Sequence, residues 1–301
     1  MKPLLLLAVW TSLAMAAAPP GIPDGWSDGF VYANGIRIHY YHAVPAPGKP
    51  VLVMAHGATD NGLSWTTTTW DLQAAYDIYM VDARGHGLSD SATAADTNDT
   101  AVEDLVGFLR AVKLSKPILM GHSMGAATVM RLAAQYPDLP RAIILLDPGL
   151  GVPVARGAAP PSAAPPSVFP ALLMSGAPES LVAQNNRSFD DLVAQCRQQT
   201  PKWDPVDCQY WALSKKQFHG SYFERAGRGG GMSIADMLGK ITAPTLILKA
   251  DVPPDVRQAN EAAAKALQNG KLIHVDDAGH NLHHDQRKRS VELIAAFLKG
   301  V

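Results

Sequence analysis

The residues in this chain best arranged for covalent chemistry are Gly121-His122-Ser123-Met124-Gly125. A serine hydroxyl is a poor nucleophile until a base removes its proton. The G-x-S-x-G spacing sets it on a sharp strand-to-helix turn, which needs small residues at both ends and stands the hydroxyl above a sheet edge. The apolar run Ile118 to Met120 comes directly before, and a helical stretch from Ala126 directly after. Strand, turn and helix are the context this chemistry requires. The helix N-terminus beneath the serine also favours the negative charge that develops during attack on a carbonyl. His122 is the nearest imidazole in sequence, but on such a turn its side chain points elsewhere.

Three further motifs accompany the serine. His56-Gly57 follows one apolar run, Asp82-Ala83-Arg84-Gly85-His86-Gly87-Leu88-Ser89 follows the next, and Ala278-Gly279-His280-Asn281 lies near the end. With these the chain resembles the α/β-hydrolase superfamily across nearly all of its length beyond the N-terminal leader. The resemblance implies a serine hydrolase with His280 as general base. It implies an oxyanion hole built from the backbone N–H groups of Ala58 and Met124. It also implies that Asp82, Arg84 and His86 shape the core near the site and are not catalytic groups. No cofactor is needed for such chemistry. His280, His283 and His284 form a cluster, yet no carboxylate or cysteine partner has zinc-site spacing, so no metal is expected.

The third member of the triad is ambiguous. The usual family position lies a few residues beyond the run Thr245 to Leu248, where the register falls on Pro253, which cannot serve. Asp251 is two residues early and Asp255 two late. Some branches of the superfamily take the acid from the end of the preceding core strand. Here that strand ends in Asp147, 24 residues beyond Ser123. Asp147 is favoured, with Asp251 as the alternative. Thr59, Asp60, Asn61 and Trp65 follow the oxyanion loop, and Asn61 and Trp65 are expected to line the substrate pocket. The expected substrate is a small or medium carboxylic ester or lactone. Carbon–carbon bond hydrolases and receptor-like members of the superfamily keep the same serine and remain alternatives.

These residues must be positioned by a larger plan. Asn34-Gly35 between alternating segments predicts a hairpin of Phe30 to Tyr32 with Ile36 to Val44. Bare apolar runs at Val51 to Ala55, Ile78 to Val81, Ile118 to Met120, Ile143 to Leu146, Thr245 to Leu248 and Leu272 to Val275 suit strands buried on both faces of a parallel sheet. Helical patterns fill the gaps at Thr100 to Val112, Ala126 to Tyr136, Val256 to Gln268 and Gln286 to Leu298. The alternation predicts a mostly parallel, doubly wound α/β sheet. No strand-like run lies between Leu150 and Ile241. Val152 to Pro170 is rich in Pro and Ala and reads as irregular, and a helical, aromatic segment follows with Trp203, Tyr210, Trp211, Phe218, Tyr222 and Phe223. The expectation is a core of residues 19–150 and 237–301 carrying a helical cap of residues 151–236. Gly227 to Gly231 would hinge the cap back to the core.

Lys2, the apolar run Leu4 to Leu13 and Ala14-Met15-Ala16 have the form of an export signal cleaved after Ala16 or Ala18. The run is shorter than the ~20 residues a membrane span needs. Export to a periplasm or to the exterior would make a disulfide between the two cysteines, Cys196 and Cys208, favourable. Asp204-Pro205 is a good N-cap and first-turn pair for the helix that carries Cys208. The formal net charge of −1 gives no broad field for nucleic acid or an anionic membrane. The expected partner is a small molecule, and oligomeric state is left open.

Overall fold

A computed structural model of the protein describes residues 18–152, 178–221 and 232–301. The leader, the Pro/Ala-rich connection, Tyr222, Phe223 and the glycine hinge fall wholly or almost wholly outside those residues. Eight strands form one sheet in the order β1-β2-β4-β3-β5-β6-β7-β8. β1 (Ser27–Ala33) and β2 (Ile36–His42) make the predicted antiparallel hairpin. Asn34 and Gly35 both hold positive φ, 47° and 79°, as a tight two-residue turn demands. β2 also pairs antiparallel with β4 (Asp77–Val81). From β4 onward the neighbours β3 (Val51–Ala55), β5 (Ile118–His122), β6 (Ala142–Leu146), β7 (Thr245–Lys249) and β8 (Gly270–His274) are parallel.

Strands β5, β6 and β7 are buried at every position. Their apolar runs carry no alternation because helices cover both faces. One face packs Val53, Leu119, Ile143 and Ile247 against α2 (Asn98–Ala111), α3 (Met124–Gln135) and α7 (Ile234–Lys240). The other packs Leu52, Met120, Ile144 and Leu248 against Trp65 and the terminal helix α10 (Arg287–Leu298). α8 (Pro254–Ala264) connects β7 to β8. Between β6 and β7 the described residues contain helices and no strand. These are α4 (Pro178–Asn186), α5 (Phe189–Gln199) and α6 (Pro205–Gln217), followed by α7.

The boundary expected at residue 237 falls inside α7. Ser233 caps that helix by accepting from the Asp236 N–H, and Met237 and Leu238 are buried in the core cluster with α3. α7 is therefore continuous with the core. Asp204 caps α6 through the Val206 N–H with Pro205 in the first turn. Cys196 on α5 and Cys208 on α6 form a disulfide. Both are buried beside Leu192, Trp203 and Trp211. Several short helices escape the sequence patterns, α7 among them. α1 (Thr66–Leu72) begins with four threonines, a run of poor helix formers, and is held by burial of all four.

Candidate active site

Ser123 lies at the junction of β5 and α3 with φ 49° and ψ −109°, a conformation that L-residues rarely adopt. Its N–H donates to the Leu146 carbonyl at 2.9 Å. The flanking glycines make the turn possible. A Cβ on Gly121 would sit 2.4 Å from the Gly125 carbonyl, and one on Gly125 only 2.2 Å from the carbonyl oxygen of Ala55. The Gly125 N–H donates to the His56 carbonyl at 3.1 Å, which ties the turn to the end of β3.

The Ser123 hydroxyl lies 2.8 Å from His280 Nε2, and His280 Nδ1 lies 2.5 Å from Oδ2 of Asp147. With Nδ1–H donating to the carboxylate, Nε2 is left to accept from the serine. Three strand ends thus converge: β5 supplies the serine, β6 the acid, and the loop after β8 the histidine. Burial alone would raise the Asp147 carboxyl. The His280 hydrogen bond and the Lys249 ammonium outweigh it and hold the group far below the usual carboxylate range. Asp251, the alternative acid, points away. It is paired with Arg257 and accepts the Asp277 N–H. Its own N–H donates to the Ala278 carbonyl, so Asp251 fixes the loop after β8 and forms no hydrogen bond with His280.

His122 takes no part in the relay. Its Nε2 meets the His280 carbonyl at 2.9 Å, so Nε2 carries the proton and donates. Burial, together with the nearby His280, pushes its pKa down to about 3. A neutral His122 therefore props the histidine loop. His56 does the same for the loop after β3. The Ala83 N–H donates to His56 Nε2, so Nδ1–H donates to the Gly57 carbonyl at 2.7 Å. Gly57 has no room for a side chain, since a Cβ would lie 2.7 Å from His122 Nδ1. Ala58 and Met124 both border the cavity above Ser123. Asp82 collects the N–H groups of Gly62 and Leu88 and the ring of His39, while Arg84 pairs with Asp104 and Asp96. Both hold loops together beneath the site.

Two lobes of the cavity meet at Ser123. The wider one runs along α3 past Met124, Ala127 and Thr128 to Arg131. The narrower one sets polar groups against aromatic rings, with walls of Asp60, Asp207, Lys215, Asn281 and His284 beside Trp203 and Trp211. Lys215 is a buried lysine reaching from α6. It donates to the Thr59 carbonyl at 2.9 Å and to Asp60 at 2.7 Å, over the Trp211 ring. Asn61 and Trp65 line neither lobe. Both are fully buried behind the loop after β3, where Asn61 donates to Gln217 at 2.7 Å and Trp65 packs on His283. The tight 3-10 turn Gly62–Trp65 carries them inward. Lys215, Asp207 and Lys249 were not legible as site residues from sequence. A lysine ending an apolar strand, as at Lys249, is the one available signal.

The model of the family described as "Alpha/beta hydrolase family" matches residues 52–293. The chain is similar to N-formylmaleamate deformylase of Pseudomonas putida, with 30% identity over 265 residues covering 85% of this chain and 91% of that protein. It is 37% identical over 99 residues to 2-(acetamidomethylene)succinate hydrolase of Mesorhizobium japonicum, a match that spans 33% of this chain and about a third (35%) of that relative. Among solved structures, the N-formylmaleamic acid deformylase of Pseudomonas putida S16 superposes with a TM-score of 0.66 at 23% identity, covering 89% of this chain and 100% of that one. At that identity the likeness is one of fold.

Proposed function

The chain belongs to the alpha/beta hydrolase family, and from that premise we propose that it is a serine hydrolase that cleaves a small or medium carboxylic ester or lactone through an acyl-enzyme. The observation that carries this reading is the continuous chain Ser123–His280–Asp147, at 2.8 Å and 2.5 Å, on a turn whose backbone strain holds the hydroxyl toward a cavity.

His280 Nε2 takes the serine proton as Oγ attacks the carbonyl carbon. The oxyanion is received by the N–H groups of Ala58 and Met124, each such donor contributing about 3 kcal/mol of transition-state stabilisation. The imidazolium is held by Asp147, which orients the ring and does not take its proton. His280 then gives that proton to the leaving alcohol, and a water activated by the same nitrogen releases the acid.

A second reading has its own support. The likeness to a deformylase, together with the polar groups Asp60, Asp207, Lys215 and His284 of the narrower lobe, favours a small amide cleaved on the same serine. The test is a panel of p-nitrophenyl esters, lactones and N-formyl amides assayed beside Ser123→Ala. Ester or lactone turnover that vanishes in the variant supports the first reading. Turnover confined to amides supports the second. Turnover that survives the substitution contradicts both.

We also propose that the enzyme is exported. The leader composition and the Cys196–Cys208 bridge both suit an oxidising compartment. Processing after Ala16 or Ala18, read by N-terminal sequencing, tests this.

A further inference from the structure

The acid of the relay has a second ionic partner. Lys249 ends β7, is buried, and places its ammonium 2.5 Å from Oδ1 of Asp147. It also donates to the Pro148 carbonyl at 2.8 Å. Asp147 is thus divided, with Oδ2 on His280 and Oδ1 on Lys249 and, at 3.2 Å, the Ala250 N–H. The Asp147 backbone is in the left-handed region at φ 45°, with its N–H on the Leu248 carbonyl at 2.7 Å, so its side chain is aimed between β7 and the histidine loop. Neither the oxyanion donors nor proton transfer explain a buried lysine here.

We propose, resting on the serine-hydrolase reading, that Lys249 is a positioning residue that locks Asp147 against His280 and sets the pH at which the histidine becomes available as a base. The groups facing His280 support an assignment to Lys249 in particular. His122 from β5 and His283 from α9 (Leu282–Asp285) are held neutral by burial. Asp285, also on α9, acts on His280 at longer range, and burial raises its carboxyl while it accepts the Trp203 indole and the Gly279 N–H. Asp251 is engaged by Arg257. His284, also on α9, is raised by Asp207 and spends its charge on that carboxylate. Lys249, bound to the other oxygen of the carboxylate that holds His280, is a cation that opposes the pull of Asp147 on an imidazolium. Without it, Asp147 is still kept within reach of His280 by its own N–H on the Leu248 carbonyl and by the Ala250 N–H, though less closely aligned. Its charge is no longer offset by the ammonium, so protonated His280 is stabilised more strongly and the base is lost at a higher pH.

The experiment is the pH profile, from 4 to 9, of Ser123 labelling by a fluorophosphonate, measured on the full chain for wild type, Lys249→Arg and Lys249→Met, with kcat/KM on a p-nitrophenyl ester beside it. The labelling readout needs no knowledge of the natural substrate. The expected result is that Lys249→Met moves the midpoint of the acid limb up by about one unit and lowers the plateau about tenfold, while Lys249→Arg keeps the wild-type midpoint. A plateau loss with an unmoved midpoint would overturn the proposal, since a merely structural lysine has that signature. If Lys249→Met does not fold, Lys249→Gln decides in the same way. Wild-type labelling that does not depend on Ser123 would instead sink the serine-hydrolase reading, and this proposal with it.

Discussion

Asp147 and Asp251 lie at successive strand ends, after β6 and β7, and only one of them reaches His280. Asp147 meets Nδ1 at 2.5 Å, while Asp251 is spent on Arg257 and the Asp277 N–H. Asp147→Asn is therefore expected to lower kcat by about 10⁴, because an amide in that place favours the wrong histidine tautomer. Asp251→Asn should leave kcat within a few-fold and lower thermal stability by loosening the loop that carries His280. Steady-state kinetics and a melting curve on both variants check this pair. At this scale the sequence exposes Ser123 and His280 readily, because each sits inside a local motif whose chain neighbours define it. The acid is not local. Its assignment depends on which strand end faces the histidine loop, a property of sheet register and of the partner that Arg257 provides. Asn61 and Trp65 follow His56-Gly57 in sequence but turn inward around Gly62, whose Cβ would strike Tyr41 and the Met80 carbonyl.

At the scale of elements, α6 holds the loop after β3 through Lys215. Thr59 has φ 65°, a strained value for threonine, and Lys215 bonds its carbonyl. Lys215→Met removes that bond and leaves the half-buried Asp60 without its cation. If Ala58 is the oxyanion donor proposed above, the expected outcome is a fall in kcat of about 10², with a smaller change in KM, because its N–H loses its aim. Kinetics on a p-nitrophenyl ester measure it, and restoration of kcat by Lys215→Arg would tie the effect to the charge-bearing clamp. The α5–α6 pair makes a separate prediction. The Cys196–Cys208 bridge closes a separation of 12 residues, which is worth about 3 kcal/mol to the fold. Replacing both cysteines by serine should lower the melting temperature measurably and leave the chemical step intact, since neither cysteine lines the cavity. Strand and helix identities were largely readable, because buried runs and capped amphipathic segments carry local signals. The threonine-rich α1 was not, because tertiary burial overrides its poor propensity, and α7 reveals itself only through the packing of Met237 and Leu238.

The whole molecule buries several histidines in neutral form, which links its stability to pH. Burial drives His122 down to about 3, below the ordinary value near 6.5. Between those values the unfolded chain binds a proton that the native state refuses, so stability must fall as pH drops through that window. His39 runs the other way. Although burial opposes it, the Asp82 carboxylate raises it, so its contribution is present below about 6.5 and is lost at higher pH. A difference measurement isolates one group: His122→Asn should show a shallower loss of melting temperature between pH 6.5 and 4 than the wild type. The overall architecture, a mostly parallel sheet with helices on both faces, was legible because the β–α alternation repeats along the chain. The two-lobed cavity was not, because its walls come from β6, α3, α6 and the loop after β8 together.

The central claim is that Ser123 is the covalent nucleophile. The direct measurement is intact-mass analysis of the protein acid-quenched during turnover of p-nitrophenyl acetate, followed by peptide mapping. An acetyl adduct on Ser123 in the wild type, absent from Ser123→Ala together with turnover, is the predicted result. An adduct on another residue, or turnover that persists without Ser123, would contradict it.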